Sequence, residues 1–353
     1  MGSGRSVRIG GVQFGDGAPV RVESMLKSRL DDTESCLKEL AELREAGCEL
    51  VRVAFPSEDL APSLTELVSR AEVPLMADIH FNHKLALTAM ECGCGSIRIN
   101  PGNMSGAEGL MSVLDAAKSN GVVIRIGANG GSLSGRQLDA CGGDRALALV
   151  LAVEEQLVPL LKRGFEEVII SAKSSSVNET VLANTILSQR YPYPLHIGIT
   201  EAGAGMDGAV KSAAGLGILL SQGIGDTMRV SLTGDSRTEV DVAYMIQRSI
   251  GTRKRGVNII SCPGCGRRRV DVANLERRTR EILSGVGNLP DGLDVAVMGC
   301  EVNGPKEAAS ADIGIAGTQN GFVMFKKGVA IETGGIEALD RALAVRLKEL
   351  STA

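Results

Sequence analysis

The stretch LVRVAFPSEDLAPSLTELVSRAEVPLMADI, residues 50–79, decides the fold that this sequence predicts. It begins and ends with short aliphatic runs, Leu50–Phe55 and Leu75–Ile79, of the length that is typical of buried strands. Between them, Asp59–Ala71 carries apolar residues at helical spacing. A strand, a helix and a second strand in this order form a β/α unit whose two strands run parallel.

The same unit recurs throughout the first 250 residues. The predicted strands are Val20–Met25, Leu50–Phe55, Leu75–Ile79, Ser96–Asn100, Val122–Gly127, Glu167–Ser171, Leu195–Thr200 and Thr227–Leu232. The predicted helices are Thr33–Ala46, Asp59–Ala71, His83–Cys92, Ala107–Asn120, Asp144–Arg163, Ser176–Arg190, Gly208–Gln222 and Glu239–Ile250. Eight such units close naturally into a (β/α)8 TIM-type barrel of ~250 residues, whereas an open doubly wound sheet seldom contains eight. We therefore predict an α/β protein whose residues 1–251 form a barrel.

The pattern changes after the last of these units. A short basic connector, Thr252–Gly256, leads into shorter strands and fewer helices. The predicted strands are Val257–Ser261, Val295–Met298, Ile313–Ala316, Gly321–Lys326 and Val329–Thr333, and the predicted helices are Val272–Leu283 and Ile336–Leu350. Residues 252–353 are therefore predicted to form a second, smaller α/β domain.

The composition excludes several classes of protein. The net charge of −4 gives no general electrostatic attraction to nucleic acid, and no run of eighteen uncharged apolar residues could cross a membrane. The eight cysteines lack the regular spacing of small disulfide-rich secreted domains. We expect a soluble, cytoplasmic protein, whose first five residues look partly like an expression leader.

In a barrel of this kind the active site lies where the strands end. Five cations fall at those positions: Arg52, Arg98, Arg125, Lys173 and Arg229. Converging guanidinium groups are costly unless an anion lies among them, and phosphate oxygens match their forked geometry. The sequence therefore predicts a substrate with more than one phosphate, the alternative being ordinary salt bridges at the rim.

Other polar residues lie at the ends of these and neighbouring strands. They are Asp78, His80, Asn100, Asn129, Ser171, Thr200, Glu201 and Ser231. Asp78 and His80 point the same way along one strand, which suits substrate positioning or proton transfer. Glu201 faces the cationic mouth and is the better candidate for acid–base chemistry, unless it merely pairs with an arginine.

Three cysteines of the second domain, Cys262, Cys265 and Cys300, each follow a predicted strand. Thiolates are soft ligands that suit zinc or iron–sulfur clusters. Zinc would require a fourth Cys or His, but all three histidines lie in the barrel, and the nearest other donors are Glu301 and Glu307. Three thiolates with one weak oxygen ligand describe a cubane cluster with one labile iron. A structural zinc knuckle and a redox dithiol remain alternatives for the CxxC pair alone.

Nine motifs, in order along the chain, carry a resemblance to a known family. They are SMLKS (24–28), VRVAFP (51–56), ADIHFN (77–82), RINPGN (98–103), RIGANGGSL (125–133), GITEAG (198–203), GIGDTMRVSL (223–232), SCPGCGR (261–267) and MGCEVNGPKEA (298–308). Together they resemble the bacterial-type 4-hydroxy-3-methylbut-2-en-1-yl diphosphate synthase family. The resemblance implies an iron–sulfur oxidoreductase of isoprenoid biosynthesis. Such an enzyme opens the ring of 2-C-methyl-D-erythritol 2,4-cyclodiphosphate with two electrons from flavodoxin or ferredoxin.

The resemblance also implies roles for individual residues. It implies a [4Fe-4S] cluster on Cys262, Cys265, Cys300 and Glu307, with Asn303 nearby. It matches Glu201 to the family's acid–base residue. Diphosphate-binding positions fall on Arg52, Arg98, Arg125, Lys173, Arg229 and Ser231. The implied assembly is a homodimer in which the cluster domain of one chain faces the barrel of the other.

Two other functional classes compete with this reductase. One is a non-redox barrel, such as a phosphosugar aldolase or transferase, with a zinc-bound structural appendage. The other is a binding module that senses redox state through a cluster. The sequence departs from the family at Leu26-Lys27-Ser28 in the first loop and at Lys306 beside Glu307.

Overall fold

The computed structural model describes residues 3–80, 82–100, 106–302 and 304–351. The chain consists of two compact units, Met1–Arg253 and Lys254–Ala353. Within the described residues, no helix is both long and apolar enough to span a bilayer.

The first unit contains a parallel barrel of eight strands. Its strands, preceded by the hairpin β1 (Ser6–Ile9) and β2 (Val12–Gly15), are β3 (Arg21–Met25), β4 (Leu50–Ala54), β5 (Leu75–Asp78), β6 (Ser96–Arg98), β7 (Val123–Asn129), β8 (Val168–Lys173), β9 (His196–Ile197) and β10 (Thr227–Met228). Strands β3 to β8 pair in chain order, and β10 pairs with both β9 and β3. A parallel bridge between Ile170 and Leu195 joins β8 to the residue before β9 and completes the ring. The predicted barrel is confirmed.

Helices surround the barrel. They are α1 (Thr33–Ala46), α2 (Ala61–Arg70), α3 (His83–Glu91), α4 (Gly106–Asn120), α5 (Gly135–Ala140), α6 (Arg145–Lys162), α7 (Val177–Arg190), α8 (Gly205–Ser221) and α9 (Ser236–Ser249). Several begin at a side chain that accepts a backbone N–H, as Asp32 does from Ser35 and Asp235 does from Arg237. Helix α5 was not among the predicted helices, because it is only six residues long.

The hairpin β1–β2 lies at the amino ends of the barrel strands. Val7, Ile9 and Phe14 pack there against Leu50 and Met76, which lie near the starts of β4 and β5. Two of the first five residues, Ser3 and Arg5, contact the rest of this unit. The Ser3 backbone N–H donates to Asp226 Oδ1 at 3.3 Å, and Arg5 pairs with Glu166 at 2.6 Å. The hairpin therefore covers the amino ends of the barrel strands and does not cover their carboxyl ends, where the site is expected.

The second unit is a five-stranded sheet with helices. Its strands are β11 (Asn258–Ser261), β12 (Asp294–Met298), β13 (Ile313–Thr318), β14 (Gly321–Lys326) and β15 (Val329–Gly334), and its helices are α10 (Val272–Gly285), α11 (Gly304–Glu307) and α12 (Leu339–Ser351). The strands pair in chain order; β11, β12 and β13 are parallel, and β14 and β15 are antiparallel. Because parallel strands end at one edge, Cys262 after β11 and Cys300 after β12 lie at the same edge.

Candidate active site

The carboxyl ends of the barrel strands surround a polar pocket. Its lining includes Arg52, Arg98, Arg125, Asn129, Ser171, Lys173, His196, Thr200, Arg229 and Ser231. The five cations that sequence reasoning placed at strand ends therefore share one pocket. They reach it from five different strands or strand ends, as the closed barrel requires.

Asp78 joins two of these cations at the end of β5. Its Oδ2 lies 3.7 Å from Arg52 Nε, and its Oδ1 lies 3.5 Å from Arg98 Nη1 and 3.7 Å from His80 Nε2. Burial raises the pKa of the Asp78 carboxyl, but Arg52 and Arg98 outweigh burial and leave that pKa below its ordinary value. Asp78 is therefore ionised and orients two guanidinium groups toward the pocket.

Glu23, inside β3, is a site residue that sequence reasoning missed. It forms an ion pair with Arg125, and the two side chains are 1% and 2% exposed. Burial raises the pKa of Glu23, but Arg125 and Arg52 lower it by more. Glu23 Oε1 and Arg125 Nη2 have no hydrogen-bond partner among the described residues. A carboxylate in the middle of the predicted strand Val20–Met25 was the available signal, since a buried charge requires a partner.

Glu239, on α9, is a second acid that sequence reasoning missed. Its two oxygens accept from Arg229, Nε to Oε2 at 3.1 Å and Nη2 to Oε1 at 3.3 Å. Ser24 Oγ donates to the same carboxylate at 3.1 Å, and Lys27 Nζ lies 3.2 Å from it. Lys27, at one of the positions where the sequence departs from the family, therefore forms a second ion pair with Glu239. In the described part of the chain, three acids form ion pairs at this mouth with its cations.

Lys173 Nζ lies 2.7 Å from His196 Nε2 inside the barrel. Burial and the neighbouring cations lower the pKa of both groups well below their ordinary values. Burial and Arg125 likewise lower the pKa of Arg52 to about 10. A neutral His196 accepts a hydrogen bond from Lys173 at Nε2, so its Nδ1–H faces Thr227 Oγ1 at 3.4 Å. Among the described residues, four arginines at this mouth outnumber the three acids that pair with them, which suits an anionic ligand.

The other predicted polar residues lie around this pocket in different environments. Glu201 is exposed, follows Thr200 after β9 and has a φ of 52°, in the left-handed region. No ion pair joins Glu201 to an arginine within the described ranges. Asn129 is exposed and caps a short turn at 130–132, and Asn100 is half-buried two residues after β6. The prediction for Asn303 falls outside the described residues.

The second unit brings its three predicted thiols to one cavity of about 220 Å³. Cys262, Cys265, Cys300 and Glu307 line it, whereas the alternative oxygen donor Glu301 does not and lies 4.0 Å from an arginine. Over the described residues, no three His, Cys, Asp or Glu side chains are close enough together to hold a single metal ion. The cavity is several times the ~30 Å³ share of one water molecule, so it has room for a group of several atoms.

Backbone donors point at the sulfur atoms of this cavity. The Gly299 N–H donates to Cys262 Sγ at 3.1 Å. Hydrogen bonds from Arg267 lower the pKa of Cys265, although the nearby Glu307 charge opposes that effect. Thiolates are the form that binds metals, so the donor set fits a cluster of soft metal ions.

The remaining cysteines lie in the barrel unit and are predicted to be simple thiols. Cys36, Cys48, Cys92 and Cys94 are buried and Cys141 is partly buried. Burial raises the pKa of Cys48 and Cys94 to about 12. Such thiols are protonated at neutral pH and are poor ligands.

Comparison with known proteins covers both units. The GcpE TIM-barrel domain model matches residues 4–244, and the GcpE protein C-terminal domain model matches residues 258–349. Among solved structures, Yersinia pestis dihydropteroate synthase aligns to 70% of this chain and 98% of its own, with 14% identity and a TM-score of 0.48, too low to support an argument.

Three curated relatives are named 4-hydroxy-3-methylbut-2-en-1-yl diphosphate synthase (flavodoxin). The one from Maridesulfovibrio salexigens is 49% identical over 93% of this chain and 90% of its own length. The one from Nitratidesulfovibrio vulgaris is 45% identical over 99% and 89%. The one from Caldanaerobacter subterraneus is 46% identical over 92% and 90%. With both units matched and relatives this similar along nearly the whole chain, the chain belongs to the GcpE family.

Proposed function

We propose that this chain is an oxidoreductase of isoprenoid biosynthesis that opens the ring of 2-C-methyl-D-erythritol 2,4-cyclodiphosphate and releases 4-hydroxy-3-methylbut-2-enyl diphosphate. The observation that carries the proposal is the five-cation pocket in a chain whose full-length relatives bear that enzyme's name. A compact cyclic diphosphate presents its charge in one place, as the pocket presents its cations.

The reaction takes up two electrons and, counted on the neutral acids, two protons. The C–O bond between the carbon chain and one phosphate breaks, and that phosphate becomes the terminal group of a linear diphosphate. The hydroxyl on the neighbouring carbon takes a proton and leaves as water, and a C=C double bond forms between the two carbons. The chain must therefore hold both phosphates, stabilise the departing phosphate oxygen and supply a proton.

We assign the first two tasks to the barrel mouth. Arg52, Arg98, Arg125, Lys173, Arg229 and Ser231 bind the phosphates. Charge-assisted hydrogen bonds of this kind contribute ~1.5–3 kcal/mol each. Asp78 orients two of the arginines, and His80, which contacts Asp78, is a further proposed substrate contact. Asn100, Asn129, Thr200 and Asn303 complete the proposed substrate contacts.

We assign the proton to Glu201. It is exposed after the end of β9 and is not engaged in an ion pair with a described arginine. A carboxyl group with that freedom can turn toward a leaving hydroxyl when substrate arrives. An E201Q variant that keeps full turnover would overturn this role.

We place a [4Fe-4S] cluster on Cys262, Cys265, Cys300 and Glu307. The support is the shared cavity, the N–H groups that point at sulfur, and an oxygen donor in place of a fourth thiol. When bound, such a cluster supplies electrons one at a time. Glu307 would be the weakest of the four ligands, because it offers an oxygen where the others offer sulfur.

The test is anaerobic purification followed by turnover. We expect a brown protein that absorbs near ~400 nm and holds about four irons per chain. Dithionite with methyl viologen should drive it to convert the cyclic diphosphate, followed by ³¹P NMR. A colourless zinc protein would support the non-redox barrel, and a brown protein without turnover would support the redox sensor.

We further propose flavodoxin as the electron donor, since the relatives' names specify it. Ferredoxin is the alternative, and parallel assays with each donor separate them. We place the enzyme in the cytoplasm because its eight cysteines are free thiols, which suits a reducing compartment.

We also propose a homodimer in which each cluster domain serves the partner's barrel. Mixing subunits tests it, because a barrel variant (R98A) and a cluster variant (C300S) should each be impaired in both sites of their own dimers. Co-refolded mixtures should regain about a quarter of wild-type activity if the two domains act in trans. No recovery in a mixture shown to contain heterodimers would rule that arrangement out.

A further inference from the structure

The loop after Cys265 carries three consecutive arginines. Arg267, Arg268 and Arg269 are exposed, as is Cys265 itself. Arg267 contacts Cys265, and Arg269 lies 4.0 Å from Glu301. Arg268 has no carboxylate within ion-pair distance among the residues that the structure describes. This basic loop is therefore next to the cluster cavity and retains charge that the domain does not neutralise.

A groove of about 490 Å³ continues from this basic loop. Its lining includes the arginines Arg269 and Arg278, the acids Asp271 and Glu337, and the amide side chains of Asn274, Gln319 and Asn320. Arg278 pairs with Asp340 at 2.7 Å, while Asn274, Gln319 and Asn320 are exposed. Gln319 and Asn320 form the turn after β13, at the strand edge that also carries Cys262 and Cys300. The groove and the cluster cavity thus share one edge of the sheet.

The local charge contrasts with that of the whole chain. Residues 262–280 contain six arginines and two acids, whereas the chain has 38 Lys and Arg against 42 Asp and Glu. A basic patch on an acidic protein attracts a partner of opposite charge and accelerates its binding. Electron transfer to the cluster also requires the donor's cofactor to come close to the cavity.

We propose that the basic loop Arg267–Arg269 and the adjoining groove dock an electron-donor protein through an acidic surface. The inference rests on the proposed function, since it presumes that a protein reduces this domain. It adds the place of docking and the side chains that select the donor. Arg268 and Arg269 supply the attraction, and the amide side chains of the groove supply hydrogen bonds to the docked surface.

The test compares two double variants with equal charge change in the same domain. R268E/R269E alters the docking surface, and K326E/K327E alters the opposite end of β14, about 15 Å away at ~3.3 Å per residue. The probe is flavodoxin from Nitratidesulfovibrio vulgaris, and its Kd for each purified holoprotein is measured by biolayer interferometry at 50 and 300 mM salt. We expect R268E/R269E to bind about tenfold or more weakly at low salt, with K326E/K327E near wild type.

Turnover separates docking from cluster chemistry. With dithionite and methyl viologen, R268E/R269E should keep wild-type kcat and wild-type iron content, while its KM for flavodoxin rises. Absence of turnover with the small reductant in the wild-type chain would count against the proposed function itself. If R268E/R269E loses iron, the neutral R268Q/R269Q pair replaces it.

Three results would overturn the docking proposal. The first is wild-type protein that fails to bind flavodoxin at low salt, and the second is equal binding by both double variants. The third is that a random DNA duplex binds the wild-type protein as tightly as flavodoxin does and no longer binds R268E/R269E. That result would show a general polyanion site instead of a surface for a donor protein.

Discussion

Replacing Glu23 with glutamine tests whether buried charge holds the barrel mouth together. The amide keeps the size of the side chain but removes the negative charge beside Arg125, which is 2% exposed and lies among Arg52 and Lys173. Breaking a buried pair from one side costs ~3–5 kcal/mol. Because the amide oxygen can still accept from Arg125, we expect the lower end, about 3 kcal/mol, or a ~10²-fold lower ratio of folded to unfolded barrel.

The three tyrosines make the assay selective for the barrel. The chain has no Trp, and Tyr191, Tyr193 and Tyr244 all lie in the first unit. Tyrosine fluorescence during urea unfolding therefore reports the barrel even if the second unit unfolds separately. The matched control is D31N, an acid-to-amide change in the exposed pair of Arg29 and Asp31, which should leave the free energy of unfolding close to that of wild type.

The pH dependence of the difference has a defined sign. The folded-state pKa of Glu23 is lowered from its ordinary value of 4.5, so its stabilising effect is present above that value and is lost as pH falls through the folded pKa. The difference in unfolding free energy between wild type and E23Q should thus be largest near pH 7 and should decrease as the pH falls. An E23Q loss no larger than that of D31N at pH 7 would refute the reasoning.

Three further changes probe the site. E307A should lower turnover at least tenfold and lower iron content, whereas E301A, outside the cavity, should change neither. R98A should lower kcat/KM about 10-fold to 100-fold by loss of a charged phosphate contact, measured by ³¹P NMR, while R70A, at an exposed pair, should not. Because burial lowers the pKa of His196, below pH 6.5 this side chain is protonated in the unfolded chain and neutral in the folded one. The unfolding free energy of wild type should therefore fall by ~1 kcal/mol per pH unit from 6.5 toward 5. The unfolding free energy of H196N should fall less over the same range.

The barrel could be predicted because its signal is repeated. Each aliphatic run such as Leu50–Phe55 is ambiguous alone, but eight runs separated by helices admit few closed arrangements. The cations were predictable for a related reason. A strand end fixes which edge a residue occupies, so Arg52 and Arg229 could be placed together although 177 positions separate them.

The partners of those cations were not predictable by the same reasoning. Glu23 lies within a strand and Glu239 lies on a helix, so neither ends a strand, and only the packed barrel brings them to Arg125 and Arg229. The hairpin β1–β2 was missed although its two alternating runs flank Gly10-Gly11, a pair that favours tight hairpin turns. An alternation of apolar and polar residues over only four positions is too short to distinguish a strand from an irregular segment.

The surplus of positive charge at the mouth couples the stability of the barrel to its ligand. Burial and mutual repulsion lower the pKa values of Arg52 and Lys173, so their charged forms are held at a cost in free energy. A diphosphate bound among these cations attracts each of them. Relief of their mutual repulsion therefore adds to the free energy of binding. Each further acid would relieve the cations but repel the substrate by the same charge. An optimum therefore lies between full neutralisation and none, which accounts for acids that pair with some guanidinium groups while Lys173 Nζ lies beside the neutral His196 ring.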